Sequence, residues 1–188
     1  MGNTQEKDEK RWKTLESELI VSRPPWLRVR RDKVQLPDGR VNPEFYVLEY
    51  PDWVNVIAIT DDGRFVMERQ YRQGLGQTCY EIPAGVIEDG ETPEEAARRE
   101  LEEETGYIGG EWKKLITISG NPSTTNNLTH CFLALGVKPA GKRHLDATED
   151  IDVELLNRDE VYALLVNDDI KQSLMAAPLW RYFALEDK

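Results

Sequence analysis

Three glutamates, Glu100, Glu103 and Glu104, stand at i, i+3 and i+4 within Pro93-Glu94-Glu95-Ala96-Ala97-Arg98-Arg99-Glu100-Leu101-Glu102-Glu103-Glu104-Thr105. On a helix that spacing brings three carboxylates within reach of shared hard cations. Mg²⁺ in particular takes a few carboxylates together with waters and substrate phosphates. The segment carries its own helix signals: Thr92 as N-cap, Pro93 as first residue, Glu95 to complete a capping box, and Gly106 as a stop. At about 100° per residue from Ala96, Glu100, Glu104, Ala97 and Leu101 fall at about 40°, 80°, 100° and 140°, and Glu103 at about 340°. The acids thus share the side of the only apolar residues, while Glu95, Arg98, Arg99 and Glu102 take the opposite face, the one expected in water. Acid-rich helices are ordinarily solvated surfaces. Here the carboxylates point where the helix must pack, which is costly unless they are protonated, paired or bound to a cation. The pattern therefore predicts divalent-cation chemistry on a phosphate substrate. Arg99, four residues from both Glu95 and Glu103, is expected to hold Glu103 by an ion pair.

The elements around this helix follow from runs and breaks. Residues 1–10 are polar without apolar periodicity and read as a disordered tail. Short apolar and β-branched runs at Trp12 to Val21 and Trp26 to Val34 suit strands, broken by Arg23-Pro24-Pro25. Pro37-Asp38-Gly39 and Asp62-Gly63 each separate two strand-like runs and predict hairpins. The back half adds strand-like runs at Cys131 to Val137 and Val153 to Leu156. Helical patterns follow at Asp159 to Val166 and Asp169 to Leu185, with Pro178 bending or beginning the second. Mixed strands and helices without strict βαβ alternation predict an α/β fold with a mixed sheet.

The chain of 188 residues suits one core with extensions. A formal net charge of −11 argues against holding nucleic acid by phosphate neutralisation. Cys79 and Cys131 give no disulfide framework and read as small buried hydrophobes. The charged start lacks the apolar run of a signal peptide, and no stretch reaches the length of a bilayer span, so a soluble, cytoplasmic protein without membrane partners is expected. His130 and His144 are too few for a rich metal site and read as structural or exposed.

From Gly85 to Tyr107 the sequence resembles the Nudix box: Gly85, five residues, Glu91, seven residues, Arg99-Glu100-Leu101, one residue, Glu103-Glu104, one residue, Gly106, then apolar Tyr107. The resemblance implies an α/β/α sandwich at residues 51–188, preceded by an N-terminal strand-rich extension at 11–50. It also implies metal ligation by Glu100, Glu103, Glu104 and the Ala84 carbonyl. The ion would be Mg²⁺, with Mn²⁺ as the alternative. Gly85, Glu91 and Arg99 would support the loop and helix.

Arg69-Gln70-Tyr71-Arg72 and Glu81-Ile82-Pro83-Ala84 resemble the segments preceding the box in ADP-ribose pyrophosphatases and related nucleotide-sugar hydrolases. That likeness implies substrate contacts from Arg69, Arg72, Glu81 and Pro122, although Ser119-Gly120-Asn121-Pro122-Ser123 departs from the Ser-Pro-Gly run common there. The implied reaction is hydrolysis of ADP-ribose to AMP and ribose 5-phosphate. GDP-mannose or another nucleotide sugar is the alternative substrate, and a non-catalytic Nudix-fold sensor the alternative of another class. By similarity the extension joins a homodimer and lines the site with aromatic residues, for which Trp12, Trp26 and Tyr46 are candidates. The general base is expected on the loop His144-Leu145-Asp146-Ala147-Thr148-Glu149-Asp150. Glu149 is chosen, with Asp146 and Asp150 as alternates and Glu103 next.

Overall fold

The computed structural model describes residues 8–24 and 26–186. Residues 1–7 of the expected tail lie outside that range, and residues 8–10 are exposed. The chain divides into two units, one running to Tyr50 and including Asn121–Asn127, the other comprising Pro51–Gly120 and Leu128–Lys188.

The first unit is an antiparallel sheet of β1 (Lys13–Arg23), β2 (Leu27–Gln35) and β3 (Val41–Leu48), in that order. Charges face each other across the strands: Arg31 pairs with Glu18 at 2.7 Å and Lys33 with Glu16 at 2.7 Å. Trp12, Leu15, Leu19, Ile20, Trp26 and Tyr46 are exposed. Asn121–Asn127 forms a turn in which Asn121 Nδ2 donates to Thr124 Oγ1 at 2.7 Å.

The second unit is built on seven strands: β4 (Trp53–Thr60), β5 (Phe65–Arg72), β6 (Gln77–Glu81), β7 (Ala84–Val86), β8 (Tyr107–Ile118), β9 (Thr129–Pro139) and β10 (Ile151–Leu156). The order is β10-β5-β4-β9-β8, with β6 paired to β5 and β7 to β4. Among the described residues of this sheet only β4 and β9 run parallel, so the sheet is mixed. Strand alternation sorts its side chains into two cores. Val54, Val56, Ala58, Val66, Phe132 and Ala134 pack with Ala96, Ala97 and Leu101 of α1 (Pro93–Thr105). Ile57, Ile59, Phe65, Met67 and Leu133 pack on the other face with Val161 and Leu165 of α2 (Arg158–Val166) and with Leu179 and Phe183 of α3 (Ser173–Glu186). These are the three layers of the expected sandwich. Among the described residues no helix is long and apolar enough to cross a membrane.

Three strands had no counterpart in the sequence reading: β6, β7 and β8. The last carries Gly109 and Gly110 and is mostly polar, so pairing with β9 rather than its own composition makes it a strand. The final helix begins at Ser173 instead of Asp169. Asp168 adopts a positive φ of 59° and Asp169 N donates to Leu164 O at 2.8 Å, which closes a turn where a helix was expected. Pro178 lies inside α3. A proline cannot donate to the carbonyl four residues back, and the Leu174 carbonyl left without that donor accepts from Asn55 Nδ2 of β4 at 2.7 Å.

Candidate active site

The site is assembled in the second unit on α1 and the strands β5, β6 and β7. Helix α1 starts as its sequence dictates: Thr92 N donates to Glu95 Oε2 at 2.8 Å, Glu95 N donates to Thr92 Oγ1 at 3.3 Å, and Pro93 follows the cap. It ends at Gly106 in the left-handed region, φ 74°, whose N–H donates to Glu102 O at 2.7 Å. With both ends fixed and Ala96, Ala97 and Leu101 buried, Glu100 and Glu104 are turned inward.

Glu104 is 5% exposed and accepts from Ala84 N at 2.9 Å. Glu100 lies against Gly85 so closely that a Cβ there would overlap its carboxylate. Only glycine leaves room for this acid beside the backbone. Glu68 of β5 and Glu81 of β6 are cross-strand partners, 2% and 1% exposed. Glu81 is held by Arg72, whose Nε donates to Oε1 at 2.8 Å while Nη2 donates to Oε2. Arg99 is the second cation: it donates to Glu91 at 2.8 and 2.9 Å, to Glu100 at 2.8 Å, to Glu103 at 3.0 Å and to Val86 O at 2.9 Å. It thereby stitches the loop after Gly85 to the helix.

Arg99 pairs with Glu103 at 3.0 Å and with Glu91 at 2.8 Å, while Glu95 is engaged in the N-terminal cap. Arg99 is accordingly part-buried, not on the solvated face. Arg69 stands with Glu154, at 3.3 Å, and lies over the Tyr80 ring at 5.5 Å. Alternation along β5 turns it away from the side that carries Glu68 and Arg72. Pro122 is exposed in the turn of the first unit. Glu149 lies at the end of a loop turn: Asp146 N donates to its Oε2 at 2.8 Å. His144 is exposed, while His130 sits 3.4 Å from Asp52. Cys79 and Cys131 are free and buried.

The sequence reading passed over Glu68. Its signal was an acid in the otherwise apolar opening Phe65-Val66-Met67 of a strand, at a position that alternation places with Val66 toward α1.

Burial raises Glu68 above the ordinary carboxylate range, and the charge of Glu81 adds to the effect. Burial likewise raises Glu104, with Glu68 next, and raises Glu100, where Arg99 works in the opposite direction. Glu149 adds negative potential at all three. The Arg72 guanidinium is held above its usual value by Glu81. Glu68 Oε1 is buried without a hydrogen-bond partner. Among the described residues no three acidic, histidine or cysteine side chains converge as a ready metal cage, and Glu100 and Glu103 are both paired with Arg99. The donor set nevertheless fits a hard cation: several buried carboxylate oxygens, one of them unpartnered, crowd beside two arginines.

Acids raised by burial bind protons more tightly folded than unfolded. Their stabilising contribution is therefore complete below the unfolded value near 4.5 and is lost as pH rises through neutrality. In EDTA, Glu68→Gln should leave Tm near wild type at pH 5 and raise it at pH 8. A Tm difference that does not grow between those pH values, followed by thermal melts, would remove Glu68 from the strained group.

Comparison with known proteins adds to this geometry. A NUDIX domain model matches residues 49–177, and a model described as the nucleoside diphosphate sugar hydrolase N-terminal domain matches residues 12–48. The chain is 34% identical over 158 residues to the ADP-ribose pyrophosphatase of Bacillus subtilis, covering 83% of this chain and 84% of that protein. It is 38% identical over 149 residues to the methanol dehydrogenase activator of Bacillus methanolicus, with coverage of 79% and 80%. The crystal structure of an ADP compounds hydrolase superposes with a TM-score of 0.82 over 97% of each chain at 22% identity, a likeness of fold alone.

Proposed function

This chain belongs to the Nudix hydrolase family, and from that premise we propose that it hydrolyses the diphosphate link of a nucleoside diphosphate derivative with Mg²⁺, cutting ADP-ribose to AMP and ribose 5-phosphate. The observation that carries the reading is the set of inward carboxylates: Glu100 against Gly85, Glu104 on the Ala84 amide, and Glu68 beside Glu81, which Arg72 holds. Glu100, Glu103, Glu104 and the Ala84 carbonyl are the donors for the ion, with Mn²⁺ as the alternative metal. When bound, such a cation neutralises charge on the diphosphate and acidifies water.

The chain's own residues do the rest. Arg72 spends two donors on Glu81 and, half-exposed, keeps others for a phosphate oxygen. Arg99 maintains the loop and Glu103. Glu149 accepts the proton of the attacking water, whose oxygen joins one phosphorus while the bridging oxygen leaves with the other product. The ADP-ribose pyrophosphatase relative supports that substrate. The match of residues 12–48 to a nucleoside diphosphate sugar hydrolase domain supports GDP-mannose or another nucleotide sugar as the second reading. Turnover of ADP-ribose, GDP-mannose, UDP-glucose, NADH and diadenosine polyphosphates, each with Mg²⁺ and with EDTA, tests the proposal. Binding of ADP-ribose without product in any Mg²⁺-containing reaction would instead indicate a sensor.

The same reading includes a cytoplasmic homodimer joined through residues of about 12 to 50. It is supported by the apolar side chains exposed on β1 and its flanks, Trp12, Leu15, Leu19 and Ile20. Light scattering at micromolar concentration should return twice the chain's 21.6 kDa, and a monomer there refutes the dimer.

A further inference from the structure

We infer that Arg143 is a positioning residue, which fixes the loop bearing Glu149 to the C-terminal end of α1 and so sets where that loop's carboxylate stands relative to the buried acids. The inference rests on the hydrolase reading above and on the role of Glu149 within it.

The last turn of α1 carries Glu102, Glu103 and Glu104 and no basic residue. That is the wrong sign for the negative end of a helix dipole, whose last carbonyls also lack partners within the helix. The loop after β9 supplies what is missing. Arg143 Nε donates to Glu104 O at 2.7 Å, His144 N to Glu103 O at 2.8 Å, and Gly141 N to Gly106 O at 3.1 Å. The approach is tight: a Cβ on Gly141 would meet Glu102 Cγ at 2.7 Å and Ile108 Cγ2 at 2.9 Å.

The second arm of Arg143 matters as much. Its Nη2 donates to the carbonyl of Ile151, the first residue of β10, at 2.7 Å. One guanidinium therefore ties the helix end to the strand start and closes the loop between them at both ends. Within that closed loop, Asp146 N donates to Glu149 Oε2 and Glu149 N donates to Asp146 O at 2.9 Å. Glu149 is one of the charges that raise Glu68, Glu100 and Glu104. Arg143 is largely exposed, so its charge is solvated and its contribution is geometric. A planar fork can reach two carbonyls at once, whereas an ammonium on a flexible stem reaches one at a time.

The test compares Arg143→Ala, Arg143→Lys, Glu149→Gln and the Arg143→Ala/Glu149→Gln double variant in nucleoside diphosphate hydrolysis with Mg²⁺, alongside hydrogen exchange of the full chain. Arg143→Ala should lower kcat by about tenfold or more, a loss of the size that misplacement of a reacting group produces. KM and the half-saturating Mg²⁺ concentration should stay within about twofold, and Arg143→Lys should recover part of the rate. The double variant should be no slower than Glu149→Gln alone, because both act on one group. The amides of His144 and Glu149 should exchange faster in Arg143→Ala while that of Gly106 does not.

An unchanged kcat, additive losses in the double variant, or a rate restored by excess Mg²⁺ would overturn the inference. If the wild-type chain hydrolyses no nucleoside diphosphate derivative, the hydrolase reading fails by itself. Hydrogen exchange then decides whether Arg143 holds the loop, and unchanged exchange at His144 and Glu149 overturns that too.

Discussion

Glu104→Gln is expected to lower kcat by at least about 10²-fold at saturating Mg²⁺, with Tm unchanged or raised. Shape is preserved, and the amide oxygen can still accept from Ala84 N. What disappears is a charge buried next to Glu68, whose presence at neutral pH is unfavourable without a cation. A structural role for Glu104 would cost stability and spare turnover. A role as metal ligand predicts the reverse. Turnover measured against Mg²⁺ concentration together with a melting curve separates them, and near-normal turnover in a folded variant would sink the assignment.

Gly85→Ala should cost at least about 10²-fold in kcat by a different route. Gly85 has no positive φ, so alanine suits its backbone, and the penalty comes entirely from the Cβ landing on the Glu100 carboxylate. Glu100 must swing away, which also removes one of the partners of Arg99. Pairing the change with Glu100→Ala isolates the cause. The double variant should fold without the collision, while activity stays low because the carboxylate is gone as well. Recovery of activity in the double variant would show that Glu100 is dispensable.

The parts of this site that were legible in the sequence are the local ones. Thr92, Pro93, Glu95 and Gly106 announce the bounds of α1, and helical geometry alone turns Glu100 and Glu104 inward. Residues whose placement depends on a distant partner were harder to read. Glu68 becomes a site residue because β6 brings Glu81 beside it and α1 covers it. Arg69 and Arg72 look alike in sequence, yet strand alternation sends one to Glu154 and Tyr80 and the other to Glu81. Arg143 gave no signal at all, because its bonds go to backbone carbonyls, which have no residue identity to read. Strand β8 was missed for a related reason: its polar, glycine-bearing run is ordered by β9.

The bond from Asn55 to the Leu174 carbonyl bears on the order in which the chain assembles. Pro178 in the second turn of α3 leaves the first-turn carbonyl of Leu174 without a helical donor, so the start of α3 is weakened until β4 presents an amide to it. The donor comes from the central strand of the sheet, 119 residues earlier in the chain. That long separation makes the contact one of the slowest kind to form. The C-terminal helix therefore registers the completion of the sheet: it can dock in its native frame only after β4 is in place, and a chain stalled before that point carries a frayed, apolar helix end exposed to water.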